Sequence, residues 1–346
     1  MTIKSSGSSL SFSEIETEFG ANGSRSLGGY RLTQNVGSLS NLPLDNGIPT
    51  SGQIKFSDFY SKQLNVVVDC HSGGREDRKS ARNDKWNNNA VTVIGGFRSK
   101  KESGSKIIIN VNKKFCSNKD QQNRCALRTG SWDGSATVQV DIGGSAQILG
   151  SGGDGGKGAD GINNNGNPGA SGTSGLGIEQ NNVVVNISSG AVLRAGFGGG
   201  GGGGGGRQTD KRRDRRAGGG GGGGGAGFPI GVGGEGGTPQ AGTRQANEDV
   251  GKPGGNGTED AAGGGGGGGD NDDQAGGATG GAGGDNEQQP SAGNSDDSVG
   301  GPAGSNGAAI RKTSGVSFTF GTGALDDGEI RPSSFATPGN AATGVA

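Results

Sequence analysis

The residues most able to form a binding site are the charged residues in polar breaks between runs of glycine. The break at 207–217 holds six basic residues against two aspartates, whereas 270–297 holds seven acids and no base. Arginine binds phosphate and carboxylate groups bidentately, so the basic break is predicted to bind anionic sugar or phosphate. The alternative is that the basic and acidic breaks pair with each other. The candidate binding residues are Arg207, Lys211, Arg212, Arg213, Arg215, Arg216, Arg244, Glu248, Asp249, Asp270, Asp272 and Asp273.

Catalytic chemistry finds little support in this sequence. His71 is the single histidine, which excludes most acid–base schemes that depend on histidine. The phosphate-binding loop that needs Gly-Lys-Ser/Thr is absent, because Lys252 is followed by Pro253. We therefore expect neither enzymatic activity nor a cofactor.

Metal and disulfide chemistry are also poorly supported. Residues 155–163 match one calcium-binding nonapeptide with Asp160 as the ligand, but that chemistry needs tandem copies. The acidic cluster around Asp272 could hold a hard cation, although a solvated loop is the favoured interpretation. An odd number of cysteines argues against a disulfide framework and leaves a bridge between Cys116 and Cys125 open.

Glycine divides the chain into two halves. Of 83 glycines in 346 residues, 65 follow residue 150, with pure runs at Gly198–Gly206, Gly218–Gly225 and Gly263–Gly269. Elsewhere glycine recurs every third residue, which is the period of the polyproline-II helix. Without a Cβ, such helices can lie close and form hydrogen bonds between neighbours. This favours a sandwich of antiparallel polyglycine-II helices over flexible linkers.

The predicted sandwich has two ends, the base and the tip. Phe197 and Phe228 lie at one end, the base, if the runs beside them lead out and back. The nine predicted helices are 150–161, 166–177, 196–206, 218–227, 231–237, 251–257, 263–269, 276–284 and 300–307. Alternation places 162–165, 207–217, 238–250 and 270–275 at the tip, and 228–230 and 258–262 at the base. Because nine is odd and the C-terminal strand should return to the base, one segment near 276–307 is miscounted.

Residues 1–63 are predicted to form a small N-terminal attachment module. Ser11 and Glu14 have capping-box spacing, which predicts a helix over Phe12–Phe19. The helix and a second apolar cluster near residue 56 could bind a partner or could form the core of an ordinary subdomain. The candidate attachment residues are Phe12, Ile15, Phe19, Phe56, Phe59 and Tyr60.

Residues 64–149 are predicted to form a β-rich shoulder domain with Trp132 in its core. The predicted strands are Val66–Cys70, Val91–Ile94, Ile107–Val111 and Val138–Ile142. A similar phrase returns 45 residues later at Val183–Ile187, and in both places it leads into glycine. Two copies do not predict a solenoid, but they indicate a β base from which glycine helices depart. Val316–Phe320 could add a third strand, so 150–346 combines the glycine sandwich with a β return.

The pattern of glycine runs and polar breaks over 150–307 resembles the receptor-binding adhesin at the long-tail-fibre tip of T-even-like bacteriophages. The phrases LSFSEIETEFG and IPTSGQIKFSDFY are similar to short modules of tailed-phage structural proteins. The resemblance implies an adhesin whose tip loops recognise a host glycan, lipopolysaccharide or outer-membrane protein. It implies a virion protein of the tail fibre, made in the host cytoplasm and joined to a fibre or other virion protein through its N-terminal module.

Other functions remain open at this point. The glycine bundle could be a spacer or decoration in a structural virion protein that binds no receptor. A flat face of regularly spaced small residues would instead suggest ice binding. Nucleic-acid binding is not expected, since the net charge is −1 and repeated Arg-Gly-Gly units are absent. No apolar run approaches the roughly 20 residues of a membrane span, so membrane insertion is not expected.

Overall fold

The computed structural model is mainly irregular, with one α-helix and short strands. It describes residues 3–20, 25–36, 39–70, 79–80, 91–93, 106–117, 119, 124–132, 136–210, 213–239, 250–269, 276–285, 288–321, 330–331 and 342–343. The three predicted domains remain a prediction, although strands from both sides of residue 150 share the same sheets.

The N-terminal module begins with helix α1, Phe12–Phe19, which confirms the predicted helix. The Glu14 N–H donates to the Ser11 side chain, and the Ser11 N–H donates to the Glu14 carboxylate at 2.8 Å. This reciprocal capping box satisfies two N–H groups of the first turn that have no partner within the helix. The other elements of the module are the 3-10 helices Leu27–Tyr30 and Phe56–Phe59 and the antiparallel strands β1 (Thr33–Val36) and β2 (Leu39–Pro43).

The remaining strands include all those predicted, with ends that agree to within two residues; the predicted end Ile94 falls outside the described residues. They are β3 (Asn65–Cys70), β4 (Lys79–Ser80), β5 (Val91–Val93), β6 (Lys106–Val111), β7 (Lys114–Cys116), β8 (Cys125–Arg128), β9 (Thr137–Ile142), β10 (Gln147–Leu149), β11 (Ser174–Ile178), β12 (Val183–Ile187), β13 (Val192–Arg194), β14 (Gly206–Asp210), β15 (Arg213–Ala217), β16 (Ile310–Lys312), β17 (Phe318–Phe320), β18 (Ile330–Arg331) and β19 (Ala342–Thr343).

Most of these strands form a parallel coil with three faces. The first face stacks β3, β6, β9, β12 and β17, the second stacks β7, β10, β13 and β18, and the third stacks β4, β8, β11, β16 and β19. Successive strands move from face to face, so that β9, β10 and β11 make one turn and β12, β13 and β16 make the next. The β base is therefore a solenoid, which two sequence copies had not predicted.

The solenoid explains why a similar sequence recurs after 45 residues. Val138 lies directly beside Val183, and the register continues to Ile142 beside Ile187. In β9 the residues Val138, Val140 and Ile142 are buried and alternate with half-buried polar residues. Burying each of these side chains stabilises the fold by about 1.5–3 kcal/mol. Trp132 is 5% exposed and packs in the same core, as predicted.

The glycine-rich chain leaves the solenoid between β10 and β11 and again between β13 and β16. Among the described residues it forms ten extended segments that are neither α-helix nor β-strand: 150–161, 166–173, 196–205, 218–226, 231–237, 251–257, 263–269, 276–284, 290–294 and 299–307. The nine predicted segments were one too few, and the missing one is 290–294. An even number returns the chain to the solenoid at β16.

Backbone hydrogen bonds with a three-residue period hold the segments together. Segment 196–205 occupies a central position, and every third N–H donates to the same neighbour. From Gly199 to Gly204, successive N–H groups donate to segments 166–173, 218–226 and 290–294 in that order, and the order then repeats. The N···O distances are 2.8–3.0 Å. Its carbonyl groups accept from the other three neighbours, 150–161, 276–284 and 299–307.

Close approach of these backbones explains the pure glycine runs. A Cβ on Gly201 would clash with the carbonyl oxygen of Gly301 and would lie 2.9 Å from the nitrogen of Gly293. Segments at the edge of the bundle need fewer glycines, because one position in three faces outward and has room for a side chain. Segment 231–237 places Val232 and Glu235 at such exposed positions.

Candidate functional site at the free end of the glycine bundle

The base of the bundle lies against the solenoid. Gly152, which follows β10, donates its N–H to the carbonyl of Pro229 at 2.9 Å, and Gly227 donates to Thr258 at 3.1 Å. Loops 228–230 and 258–262 therefore lie at the base, which confirms both predictions.

Charged side chains join the base to the solenoid. Arg194 of β13, whose side chain is 4% exposed, lies 3.4 Å from the Glu259 carboxylate and also forms an ion pair with Asp260. Lys114 of β7 approaches Glu259 at 3.3 Å and lies 3.7 Å above the ring of Phe228. Such partly buried contacts resist solvent screening better than surface pairs do.

The tip is the opposite end of the bundle, where the described ends of the polar breaks lie. The turn 162–165 and the hairpin 206–217 both lie there, as predicted. Breaks 238–250 and 270–275 start at the same end, because Gly237 and Gly269 donate to Gly219 and Gly218 at 2.7 and 2.9 Å. The loop 295–298 is a fifth element of the tip, and sequence reasoning did not place it.

The central element of the tip is the hairpin formed by β14 and β15, here called the tip hairpin. Its antiparallel register pairs Gly206 with Ala217, Arg207 with Arg216 and Asp210 with Arg213. The two strands continue segments 196–205 and 218–226, which are the most fully hydrogen-bonded in the bundle. The hairpin is thus fixed at its foot by the interior of the bundle.

An acidic loop, residues 295–298, holds the foot of the tip hairpin. Ser298 donates its N–H to the Gly205 carbonyl at 3.0 Å, and the Gly205 N–H donates to the Ser298 hydroxyl at 2.7 Å. The Asp297 carboxylate accepts the N–H of Arg207. Partial burial of the carboxyl group, followed by the negative charge of Asp297, raises the pKa of Asp296. The contact uses the backbone N–H of Arg207, so the pairing of charged side chains between the acidic and basic breaks stays a prediction.

The structure brings together only part of the predicted binding set. Arg207 and Arg216 face each other in the hairpin register, and the backbone of β15 carries Arg213 and Arg215. Asp297 and Asp296 were counted within the acidic segment but not proposed as site residues, because their end of the bundle depends on the missed segment 290–294. The predicted residues Lys211, Arg212, Arg244, Glu248, Asp249, Asp270, Asp272 and Asp273 fall outside the described residues.

Asp160 has a structural role at the tip. Its carboxylate accepts the N–H of Thr238 at 2.8 Å and the ammonium group of Lys157 at 2.7 Å. Burial raises the pKa of Asp160, but the hydrogen bonds from Lys157 and Thr238 outweigh burial and lower it overall. Across the described ranges, no cluster of three or more acidic, histidine or cysteine residues could hold a metal ion.

The predicted attachment residues divide into core and surface. Ile15, Phe19 and Phe59 are at most 1% exposed in the core of the N-terminal module, which corrects their predicted contact role. Phe12 and Phe56 pack edge to face with ring centroids 5.2 Å apart, and Phe56 is 37% exposed. The Tyr60 hydroxyl donates to the carbonyl of Ser8 at 2.5 Å.

Comparison with known proteins finds one similar solved structure. The chain is similar to a chain of the gp37-gp38 adhesin tip complex of the bacteriophage S16 long tail fiber, a crystal structure, with 21% sequence identity and a TM-score of 0.39. The alignment covers 94% of this chain and 97% of that chain. No family model matches the sequence, and no curated protein matches it.

Two further observations concern groups outside the tip. The three cysteines are buried and none of them forms a disulfide, so the bridge between Cys116 and Cys125 that the sequence left open is absent from the described structure. None of the helices in the described ranges is both long and apolar enough to cross a membrane.

Proposed function

We propose that this chain is the receptor-binding adhesin at the tip of a tailed-phage long tail fibre. The observation that carries the proposal is that the turn 162–165, the tip hairpin and the loop 295–298 lie at the end of the bundle opposite the solenoid, where breaks 238–250 and 270–275 also begin. The segments below these loops bond through backbone atoms, so tip loops can change sequence without loss of the scaffold's own hydrogen bonds. Rigid loops lose less entropy on binding, and several copies on one particle would add avidity.

The proposed scaffold is a sandwich of antiparallel polyglycine-II helices. The three-residue repeat of N–H donors, the six bonded neighbours of segment 196–205 and the absence of room for a Cβ at Gly201 support it. At about 3.1 Å per residue, ten residues of such a helix span roughly 30 Å. The tip would therefore stand well clear of the solenoid.

The N-terminal module is proposed to attach the chain to a fibre or other virion protein. Phe12 and Phe56 support this role, because Phe56 is 37% exposed and packs edge to face on the half-buried Phe12 at the surface of the module. Replacing Phe56 with Asp should weaken fibre attachment while leaving the core intact. Unchanged incorporation of the F56D chain into particles would refute this part.

The adhesin proposal is tested by binding of labelled full-length chain to cells of the strain that the phage infects. We expect saturable binding and a slower rate of phage adsorption when the chain is added in excess. The matched control is a folded variant in which residues 207–216 are replaced by a short Asn-Gly turn, since this removes tip surface and leaves the bundle. Failure of the folded wild-type chain to bind cells would favour a structural virion role.

A further inference from the structure

A lysine and two carboxyl groups lie together at the edge of the core of the N-terminal module. The Gln63 N–H donates to the Asp45 carboxylate at 2.6 Å. The next N–H along the chain, that of Leu64, donates to the Glu18 carboxylate at 2.9 Å. Lys62 comes directly before these two donors, and its Nζ lies 4.0 Å from Oδ1 of Asp45. The three side chains therefore meet around one short stretch of backbone.

The three groups are shielded from water to different degrees. Glu18 is 1% exposed, and the side chains of Asp45 and Lys62 are 13% and 25% exposed. Burial raises the pKa of Asp45, and the negative charge of Glu18 adds to this rise. The N–H of Gln63 and the charges of Lys62 and Lys106 oppose it, but the pKa of Asp45 stays above its ordinary value. Transfer of a proton from Lys62 to Asp45 is therefore easier than in water.

The turn that follows Asp45 brings the backbone close to the Lys62 amine. Nζ donates to the carbonyl of Asn46, and a Cβ on Gly47 would lie 2.8 Å from Nζ. Gly47 also has a left-handed φ of 89°, so both the close approach and the backbone conformation favour glycine there. The 4.0 Å between Nζ and Oδ1 exceeds a reacting distance of about 3–3.5 Å, so the Lys62 side chain must rotate before a bond can form.

We propose that Lys62 and Asp45 form an intramolecular isopeptide bond, with Glu18 as the proton carrier. The ion pair and its neutral form, an amine and a carboxylic acid, contain the same protons, so no other reactant is needed. The Nζ lone pair attacks Cγ of Asp45. The Glu18 carboxylate takes a proton from Nζ and passes it to the leaving hydroxyl group. A C–N bond forms, a C–O bond breaks and one water molecule leaves.

The bond closes a covalent loop over residues 45–62 in a module whose own apolar core is small. A covalent link across a loop stabilises the folded state chiefly by restricting the unfolded chain. The link therefore holds the N-terminal module together without enlarging its core. This inference does not rest on the adhesin function, because it concerns chemistry within the chain.

Intact-mass spectrometry of the purified full-length chain is the test, because the bond removes one water molecule from each chain. Trypsin does not cut after an acylated lysine, so residues 32–55 and 56–75 should appear as one cross-linked pair of peptides. Lys4 and Glu14 provide a control within the same chain. Their charged atoms are closer, at 2.7 Å, but their side chains are 41% and 37% exposed, so this pair should stay unlinked.

Two variants separate the isopeptide bond from other losses of water. K62R keeps the positive charge and should retain its full mass, whereas E18Q keeps an acceptor for the Leu64 N–H and should form the bond about 100-fold more slowly. A wild-type chain that keeps its full mass after prolonged incubation would overturn the inference. A loss of water that persists in K62R would also overturn it, because a succinimide between Asp45 and Asn46 would then be the source. Equal rates in wild type and E18Q would overturn the role of Glu18.

Discussion

Replacing Gly201 with alanine tests whether backbone packing holds the bundle together. Gly201 lies in the central segment, donates its N–H to Ser291 at 3.0 Å and accepts the N–H of Gly281 at 2.8 Å. An added methyl group would meet the carbonyl of Gly301 on segment 299–307. Because the methyl group would meet backbone atoms and not a flexible side chain, segments 196–205 and 299–307 must move apart.

The expected loss follows from the hydrogen bonds between these two segments. Gly301, Gly304 and Gly307 donate to segment 196–205 at 2.7–2.8 Å. At about 1 kcal/mol for each bond, their loss would lower the free energy of unfolding by about 3 kcal/mol. At an unfolding entropy of about 2.1 cal/mol/K per residue, that corresponds to a fall in Tm of roughly 4 °C for a chain of 346 residues.

Gly264 provides the matched control in the same kind of segment. It is exposed, has no left-handed φ, and a Cβ there would meet nothing within 4 Å. Alanine restricts the unfolded chain, so G264A should leave the stability unchanged or raise it by about 0.4–1 kcal/mol. Thermal unfolding followed by circular dichroism compares the two variants with wild type. Equal Tm values for G201A and G264A would refute the packing argument.

Three further changes test other parts of the structure. The pKa of Asp296 is raised in the folded protein, so its ionised form costs stability as pH rises; D296N should raise Tm at pH 7, and the gain should vanish below about pH 4. Hydrogen bonds from Lys4 and Ser11 lower the pKa of Glu14 to about 2. The stability that the Glu14 carboxylate adds is therefore present above about pH 4.3 and is lost as pH falls toward 2. The Tm of the E14Q variant should accordingly change less than that of wild type between pH 5 and pH 2. Replacing Arg194 with Met removes the cation that pairs with Asp260 and leaves Glu259 with Lys114 as its cation, so we expect a loss of about 2 kcal/mol and faster exchange of the Gly227 amide. Unchanged exchange would argue against the contact.

Local patterns carried most of the correct sequence predictions. Helix α1 was predictable because its capping residues and apolar spacing lie within one turn of each other. The base loops 228–230 and 258–262 followed from simple alternation of long glycine runs. Segment 290–294 was not predicted because a segment at the rim of the bundle needs glycine only where a neighbouring segment packs against it. Gly293 is the single glycine in this segment.

Long-range features of the structure were less accessible. The solenoid was not predicted because its turns are separated by insertions of very different length, 24 residues after β10 and 115 after β13. Asp296 and Asp297 lie at the tip only because segment 290–294 makes the number of segments even, and that segment was not predicted. Apolar clustering alone could not distinguish the buried Phe19 from the surface residue Phe56, because both lie in similar local sequence.

Amide hydrogen exchange on the full-length chain tests the ordered bundle most directly, because the tip loops can act as a rigid binding surface only on an ordered scaffold. The amides from Gly199 to Gly204 should be protected to a similar degree as those of Val140 and Val185 in the solenoid. Gly264 and Gly267, whose N–H groups have no backbone acceptor among the described residues, should exchange rapidly. Fast exchange throughout segment 196–205 would contradict the bundle and remove the physical basis of the adhesin proposal.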